Sequence, residues 1–398
     1  MADLGQPPVT SEPTDLALRA AYRGVRVLVT GHTGFKGSWL TLWLAELGAE
    51  VAGYSLPPET QPDLFSEIDL VRLCRHREGD VRDGAGLTRA IEETRPDIVF
   101  HLAAQSLVRR SYEEPLRTLE VNVLGTANLL EAVRKASRPC AVVVVTSDKC
   151  YENREWELGY RENDPLGGHD IYSCSKGMAE LVVAGFRRSF FPPDRLDAHG
   201  VALASARAGN VLGGGDWASD RIVPDAVRAL ERRLPISVRN PDAVRPWQHV
   251  LEPLSGYLLL GMRLSEKTAE RAGFCEAWNF GPHAESQRTV RDVVETMLRF
   301  WGEGSWRPSR EEGPHEAGRL ALSIEKAQTR LGWNPRWSFE ETIDRTVRWY
   351  QRWRKAEGAE ALRALMLSQI RDYTGGVAAP EDIEQLGSSA VKTWAKRE

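Results

Sequence analysis

The sequence predicts an α/β fold, a Rossmann-type doubly wound parallel sheet with a smaller C-terminal lobe, and three observations carry that prediction. A β-branched run, VRVLVT at 25–30, leads straight into a loop with glycines at 31, 34 and 37. A helical stretch rich in apolar residues opens directly out of that loop. Short apolar strands and amphipathic helices then alternate to about residue 212. Such alternation builds right-handed βαβ crossovers on a parallel sheet.

Taken in order, residues 1–22 are Pro-rich and polar and are expected to form a flexible extension. Residues 25–30 are the continuous apolar kind of strand that parallel sheets bury on both faces. The helix at 38–47 (SWLTLWLAEL) ends at Gly48, a residue type that often follows the last helical turn. A strand at 50–54 follows, then a helix at 87–94, a strand at 97–103, a helix at 122–136, a strand at 141–146, a helix at 172–188 and a strand at 201–207. Beyond residue 213 the rhythm loosens. Helical stretches at 222–230, 252–263, 290–301, 324–331 and 339–357 are separated by loops rich in Gly, Pro, Asp and Arg. The expected units are a nucleotide-binding domain at 23–212, a second lobe at 213–377 partly interleaved with it, and a tail at 378–398.

Composition narrows the class. The 398 residues carry 52 Lys and Arg against 56 Asp and Glu, a net charge of −4, with no basic stripe of the kind that holds nucleic acid. No apolar run approaches the ~18 residues of a membrane span. The first residues contain early acids and no apolar stretch after basic ones, so no secretory signal is read. Cys74, Cys140, Cys150, Cys174 and Cys275 include no C-x-x-C pair and suggest free thiols in a reducing cytoplasm, with no metal site.

The loop Gly31-His-Thr33-Gly34-Phe35-Lys36-Gly37 is a G-x-x-G-x-x-G between strand and helix. Its glycines let the backbone approach a dinucleotide pyrophosphate at the positive helix N-terminus. The second strand ends Val51-Ala-Gly-Tyr54-Ser55, with no acid to take the adenosine ribose hydroxyls, so NADP stays open beside NAD. Asp80 and Val81 stand where the next strand end meets the adenine. Tyr172-Ser-Cys-Ser-Lys176 puts a phenol and an ammonium on one helix face, so that Lys176 can lower the Tyr172 pKa and also hydrogen-bond a nicotinamide ribose. His101 and the late tryptophans Trp333, Trp337, Trp349 and Trp353 suit the core better than a site.

At this point VTGHTGFKGSWLTLWL, HLAAQSLVRRSY, TSDKCYENREWELGYRENDPLGG, SARAGNVLGGGDWASDR, RPWQHVLEPLSGYL and WNFGP together identify a resemblance. Across roughly residues 24–350 the chain resembles the extended short-chain dehydrogenase/reductase family, and within it the CDP-glucose branch of the nucleotide-sugar 4,6-dehydratases. The resemblance implies tightly held NAD, oxidation at C4 of a hexose, loss of water across C5–C6 and hydride return to C6. Tyr172 would take the C4-hydroxyl proton, Ser147 would hydrogen-bond the C4 oxygen, and Asp148 would protonate the departing C6 hydroxyl. The dTDP-glucose branch has Asp-Glu where this chain has Asp148-Lys149. That leaves the C5 base open: Lys149 is a neutral base, or only a partner of Asp148 and of the keto intermediate.

The resemblance also implies cofactor contacts from Leu102, Ala103, Ala104, Thr146 and Arg207. It makes the second lobe substrate-binding, with Arg245 on the diphosphate and Asn210, Arg221, Arg239, His249, Asn279, Gln105 and Ser106 around the nucleotide and sugar. It implies a homodimer or tetramer through the helices at 122–136 and 172–188, whose Val123, Leu124, Leu129, Val133, Met178, Leu181, Val182 and Phe186 are apolar on more than one face. A C4 epimerase or a dehydratase for another nucleotide sugar is the alternative within the family. A non-catalytic nucleotide-binding scaffold is the alternative outside it, but it would not need both Tyr172 and Lys176.

Overall fold

Seven parallel strands form the central sheet of the structure, a computed structural model that describes residues 15–309 and 318–375. They are β1 (Arg26–Thr30), β2 (Glu50–Ser55), β3 (Arg75–Glu78), β4 (Ile98–His101), β5 (Cys140–Val145), β6 (Val201–Ala208) and β7 (Ala277–Phe280). Their order is β7-β6-β5-β4-β1-β2-β3, and every pairing is parallel. Central β4, β5 and β6 are covered on both faces, which is why their sequences are apolar without alternation. The order reverses between β1 and β4. A crevice opens there at the carboxyl ends of the strands.

The longer helices are α1 (Asp15–Tyr22), α2 (Phe35–Glu46), α3 (Gly84–Thr94), α4 (Gly125–Ala136), α5 (Ile171–Ser189), α6 (Ile222–Glu231), α7 (Leu251–Ser265), α8 (Val290–Trp301), α9 (Phe339–Trp353) and α10 (Ala359–Thr374). On one face α3, α4 and α5 press Leu87, Leu129, Leu130 and Val183 onto Val99, Val142 and Leu203. On the other, α2 and α7 press Trp39, Trp43, Leu258 and Leu260 onto Val29, Phe100 and Val143. Helix α2 is buried over Gly37–Leu44 because the second lobe covers the side that the sheet does not.

Two expectations change. The extension expected to be flexible through residue 22 is helical from Asp15. Leu18 and Tyr22 of α1 are buried, and the Tyr22 hydroxyl donates to the Leu258 carbonyl at 2.7 Å. Residues 1–14 and the tail at 378–398 lie outside the described residues. The helix expected from residue 122 begins as a wide π-type turn, Glu120–Leu124, leading into α4. The expected interleaving across 212/213 takes a definite form: α7 packs on the sheet, and β7 extends it beyond β6. The second lobe proper holds short ladders, Ile236–Val238 with Trp306–Pro308 and Val244–Pro246 with Gln287–Thr289, beside α6, α8 and α9. Trp333, Trp337 and Trp349 are buried in the core, and Trp353 packs against it.

Candidate active site

Loops after β1, β4 and β5 meet the second lobe around a cleft of about 960 Å³. Gly31 sits at φ +76°, with its Cα so near Ala103 that a Cβ would lie 2.7 Å from the Ala103 nitrogen. A Cβ on Gly37 would run into the Gly31 carbonyl. No side chain larger than hydrogen fits either position. The first turn of α2 therefore offers bare backbone to the cleft, a cradle that fits a dinucleotide pyrophosphate. The Thr33 hydroxyl ties this loop to the end of β2, 2.8 Å from both the Ser55 hydroxyl and the Leu56 carbonyl.

After β5 the chain makes one tight turn. The Lys149 N–H donates to the Ser147 hydroxyl at 3.2 Å, and that hydroxyl donates to Asp148 Oδ1 at 2.9 Å. Asp148 is 2% exposed, and its Oδ2 has no hydrogen-bond partner among the described residues. Burial raises its pKa, against the pull of Lys149, Ser147, Arg245 and Lys36. The site thus favours a proton on this carboxyl more than water does. Lys149 is half-buried on the cleft wall.

Asp170 caps α5 by accepting the Ser173 N–H at 2.9 Å, which fixes the turn carrying Tyr172. The Lys176 ammonium lies 5.8 Å from the Tyr172 ring centre. Two opposing effects act on the Tyr172 phenol, burial and the nearby cation. Burial pushes Tyr172 up to about 12, opposed by the nearby Ser147 hydroxyl, and burial pushes Lys176 down to about 8. Below about pH 8 Lys176 keeps its charge, and an ammonium this close favours the phenolate of Tyr172. Lys36 reaches the same region. Its ammonium donates to the Tyr257 hydroxyl at 3.4 Å and is pushed down to about 7 by burial and by Arg221.

Cations converge from both lobes. Arg221 pairs with Asp216 at 2.9 Å and donates to the Ser106 hydroxyl at 2.8 Å. Arg239 and Arg109 share Asp220, at 2.7 and 3.3 Å. Arg245, 6% exposed, donates to the Val244 and Gly318 carbonyls. Asn210 also lines the cleft.

Gly31, Thr33, Gly34, Phe35, Lys36, Gly37, Asp80, Val81, Leu102, Ala103, Ala104 and Thr146 all face this space, as do Ser106 and the five proposed catalytic residues. Asp80 does so with its carboxylate held by Arg82 at 2.6 Å. Gln105 lines the cleft, but its amide is engaged within its own loop, donating to Leu107 and Thr118 and accepting from the Leu107 N–H. It shapes the loop and does not present its amide to a sugar.

Arg207, His249 and Asn279 do not line the cleft. Arg207 forms a buried ion pair with Glu180 at 2.8 Å, and Glu180 also accepts from Thr146 and Ser205. Asn279 accepts from the Tyr151 hydroxyl and donates to the Tyr160 and Ser323 carbonyls. His249 is fully buried between Trp39 and Trp337. His101 is held between the Thr30 and Thr126 hydroxyls. The sequence reading missed Arg109, Arg110, Arg117, Glu59, Asp216 and Asp220, all on the cleft wall. For two of them a signal existed: the Arg109-Arg110 pair directly follows the loop after β4.

The chain matches the family model described as GDP-mannose 4,6 dehydratase over residues 28–346. It is 53% identical to a CDP-glucose 4,6-dehydratase of Salmonella typhimurium, over 84% of this chain and 93% of that one. It is 27% identical to a dTDP-glucose 4,6-dehydratase of Xanthomonas campestris pv. campestris, over 81% and 92%. A dTDP-glucose 4,6-dehydratase of Streptomyces venezuelae, solved as a double mutant with NAD bound, superposes with a TM-score of 0.69 at 27% identity, over 82% of this chain and 97% of that one. A glycine cradle after β1, a Tyr-Lys pair on α5, an acid after β5 and a match across most of the length agree: the chain belongs to the GDP-mannose 4,6 dehydratase family.

Proposed function

We propose that the chain is an NAD-dependent hydro-lyase, a nucleotide-sugar 4,6-dehydratase that converts CDP-glucose to its 4-keto-6-deoxy product. The observation that carries this reading is Asp148, a buried carboxyl with one unpartnered oxygen in the same cleft as Tyr172 and Lys176. An epimerase working at C4 alone has no leaving hydroxyl to protonate. The 53% identity to a CDP-glucose enzyme over nearly all of its length supports the nucleotide. The glycine cradle of Gly31, Gly34 and Gly37 would hold NAD, which would supply hydride removal at C4 and hydride delivery at C6.

The residues divide the remaining work. Tyr172, as the phenolate that the Lys176 ammonium favours, accepts the C4-hydroxyl proton, and Ser147, on the same cleft wall, aligns the C4 oxygen. Once C4 is a ketone, the C5 proton is acidic and water can leave. Asp148 supplies the proton that lets the C6 oxygen depart as water. Lys149, beside it, either takes the C5 proton in its neutral form or steadies the keto oxygen. Arg245, Arg221 and Arg239 supply the charge for a diphosphate, and guanidinium geometry suits such oxygens. Glu180 and Arg207 act behind the site, fixing Thr146 at the end of β5.

The oligomer is part of the same proposal. Leu116, Leu124, Met178 and Leu181 are exposed on neighbouring helices and suit a twofold partner, whereas Val123, Leu129 and Val133 are buried within the subunit. Among the described residues no helix is long and apolar enough to cross a membrane, and a cytoplasmic location is the reading we adopt. Incubating the protein with CDP-, dTDP-, UDP- and GDP-hexoses and following the 4-keto product tests the function. Turnover of CDP-glucose above the others is expected. Turnover of GDP-mannose alone would overturn the substrate.

A further inference from the structure

The acid that a dinucleotide site ordinarily places at the end of its second strand is missing here. Strand β2 ends in Tyr54 and Ser55, both buried. The structure brings a carboxylate to this part of the crevice from elsewhere. Glu59, in the loop that follows β2, lines the cleft together with Ser55, Gly79, Asp80 and Val81. Arg110 grips its Oε2 at 2.7 Å, and Arg117 approaches its Oε1 at 3.8 Å. Both guanidiniums also line the cleft, and both have a second partner in Glu114, at 3.2 and 3.4 Å. The group is thus two cations against two carboxylates. Its one cleft-lining carboxylate is Glu59, whose side chain is 55% exposed.

We propose that Glu59 is the residue that selects NAD over NADP, taking the adenosine ribose hydroxyls in place of the absent strand-end acid. This rests on reading the cleft as a dinucleotide site. A carboxylate accepts hydrogen bonds from a ribose diol and repels a 2′-phosphate. Arg110 and Arg117 are positioning residues in the native chain, holding a loop carboxylate at a place that β2 cannot supply. Without Glu59 the same two guanidiniums become a phosphate-binding pair, because one carboxylate then faces two cations. Specificity here is a balance of charge among four side chains, Glu59 from the loop after β2 and Arg110, Glu114 and Arg117 from the short helices that follow β4, and one substitution tips it.

The test is calorimetric binding of NAD and NADP to the full-length protein, so that the readout does not depend on turnover. The wild-type chain is expected to bind NAD at least tenfold more tightly than NADP. Glu59→Gln should weaken NAD and strengthen NADP, moving the affinity ratio by tenfold or more. Adding Arg110→Leu and Arg117→Leu to that variant should remove the gain in NADP affinity. A ratio unchanged within twofold in Glu59→Gln, with NAD still bound, would overturn the proposal alone. A wild-type chain that binds neither dinucleotide would overturn the cofactor reading and this proposal with it.

Discussion

Asp148 and Tyr172 divide the proposed chemistry into two stages, and single substitutions should separate them. Tyr172→Phe removes the acceptor for the C4 proton, so no near-ultraviolet absorbance of reduced nicotinamide should appear on adding CDP-glucose. Asp148→Asn keeps shape but has no acid proton. Turnover should fall by about 10²–10⁴-fold, the usual contribution of a positioned acid, while that absorbance accumulates. Lys149→Met should behave likewise if Lys149 is the C5 base. Near-wild-type turnover would remove it from the chemistry. A second prediction concerns pH. Burial holds Lys36 near 7 and Lys176 near 8, so their positive charge is present below those values and lost above them. The KM for the anionic sugar nucleotide should therefore rise between about pH 7 and 8.5, and Lys36→Met should flatten the lower part of that rise. Tyr172 and Lys176 were legible because a spacing of four puts them on one helix face, whereas Asp148 was reached only through the resemblance of the peptide around it. Arg207 and Asn279 were not legible. They are register partners across β6 and β7, and both hydrogen-bond Tyr151 away from the cleft. Which way a strand residue points depends on register, and a motif string does not carry that.

A buried carboxylate is among the groups that join helix α10 to the rest of the subunit. Glu252 on α7 accepts the Arg336 and Trp337 N–H groups, at 3.0 and 2.8 Å, and the Tyr373 hydroxyl at 2.7 Å. Tyr373→Phe leaves the carboxylate short of a donor and should cost roughly 1–3 kcal/mol in chemical denaturation. Burial pushes Glu252 up to about 7, above its ordinary 4.5, although those donors favour the charged form. The folded chain therefore keeps this proton where the unfolded chain has lost it. That stabilisation is fully present below about pH 4.5 and lost as pH rises through 7, and Glu252→Gln should lack this trend in melting temperature. Strands β1, β2, β4, β5 and β6 were legible as elements, because parallel strands buried on both faces are plain apolar runs, whereas edge strand β3, RHRE, is polar and partly exposed and was not read. Helix α1 was hidden by the Pro-rich residues before it. Strand β7 was hidden by its brevity, since four residues, AWNF, show no period. The π-type turn was not legible either. It leaves Asn122 hydrogen-bonded to the Gln105 backbone and to Ser175, so it braces the cleft loop against α5.

In the whole molecule, the proposed twofold contact is open to a direct test. Leu124 and Leu181 are 56% and 57% exposed. Replacing both with Arg should yield a monomer in light scattering, whereas the wild-type chain should give a dimer or tetramer. The division at residue 212 suggested by the loosening rhythm could not show that the sheet is finished from the far side of the second lobe. That late return of β7 has a consequence for synthesis. When residue 208 has left the ribosome, β6 is a fully buried type of strand, VALASARA, with nothing yet to pair along its outer edge. Its partner is encoded about 70 residues later. At roughly 5–20 residues per second, the nascent chain carries an open apolar edge for several seconds. A fragment ending at residue 212 would carry that edge permanently, so it should aggregate where the full-length chain does not.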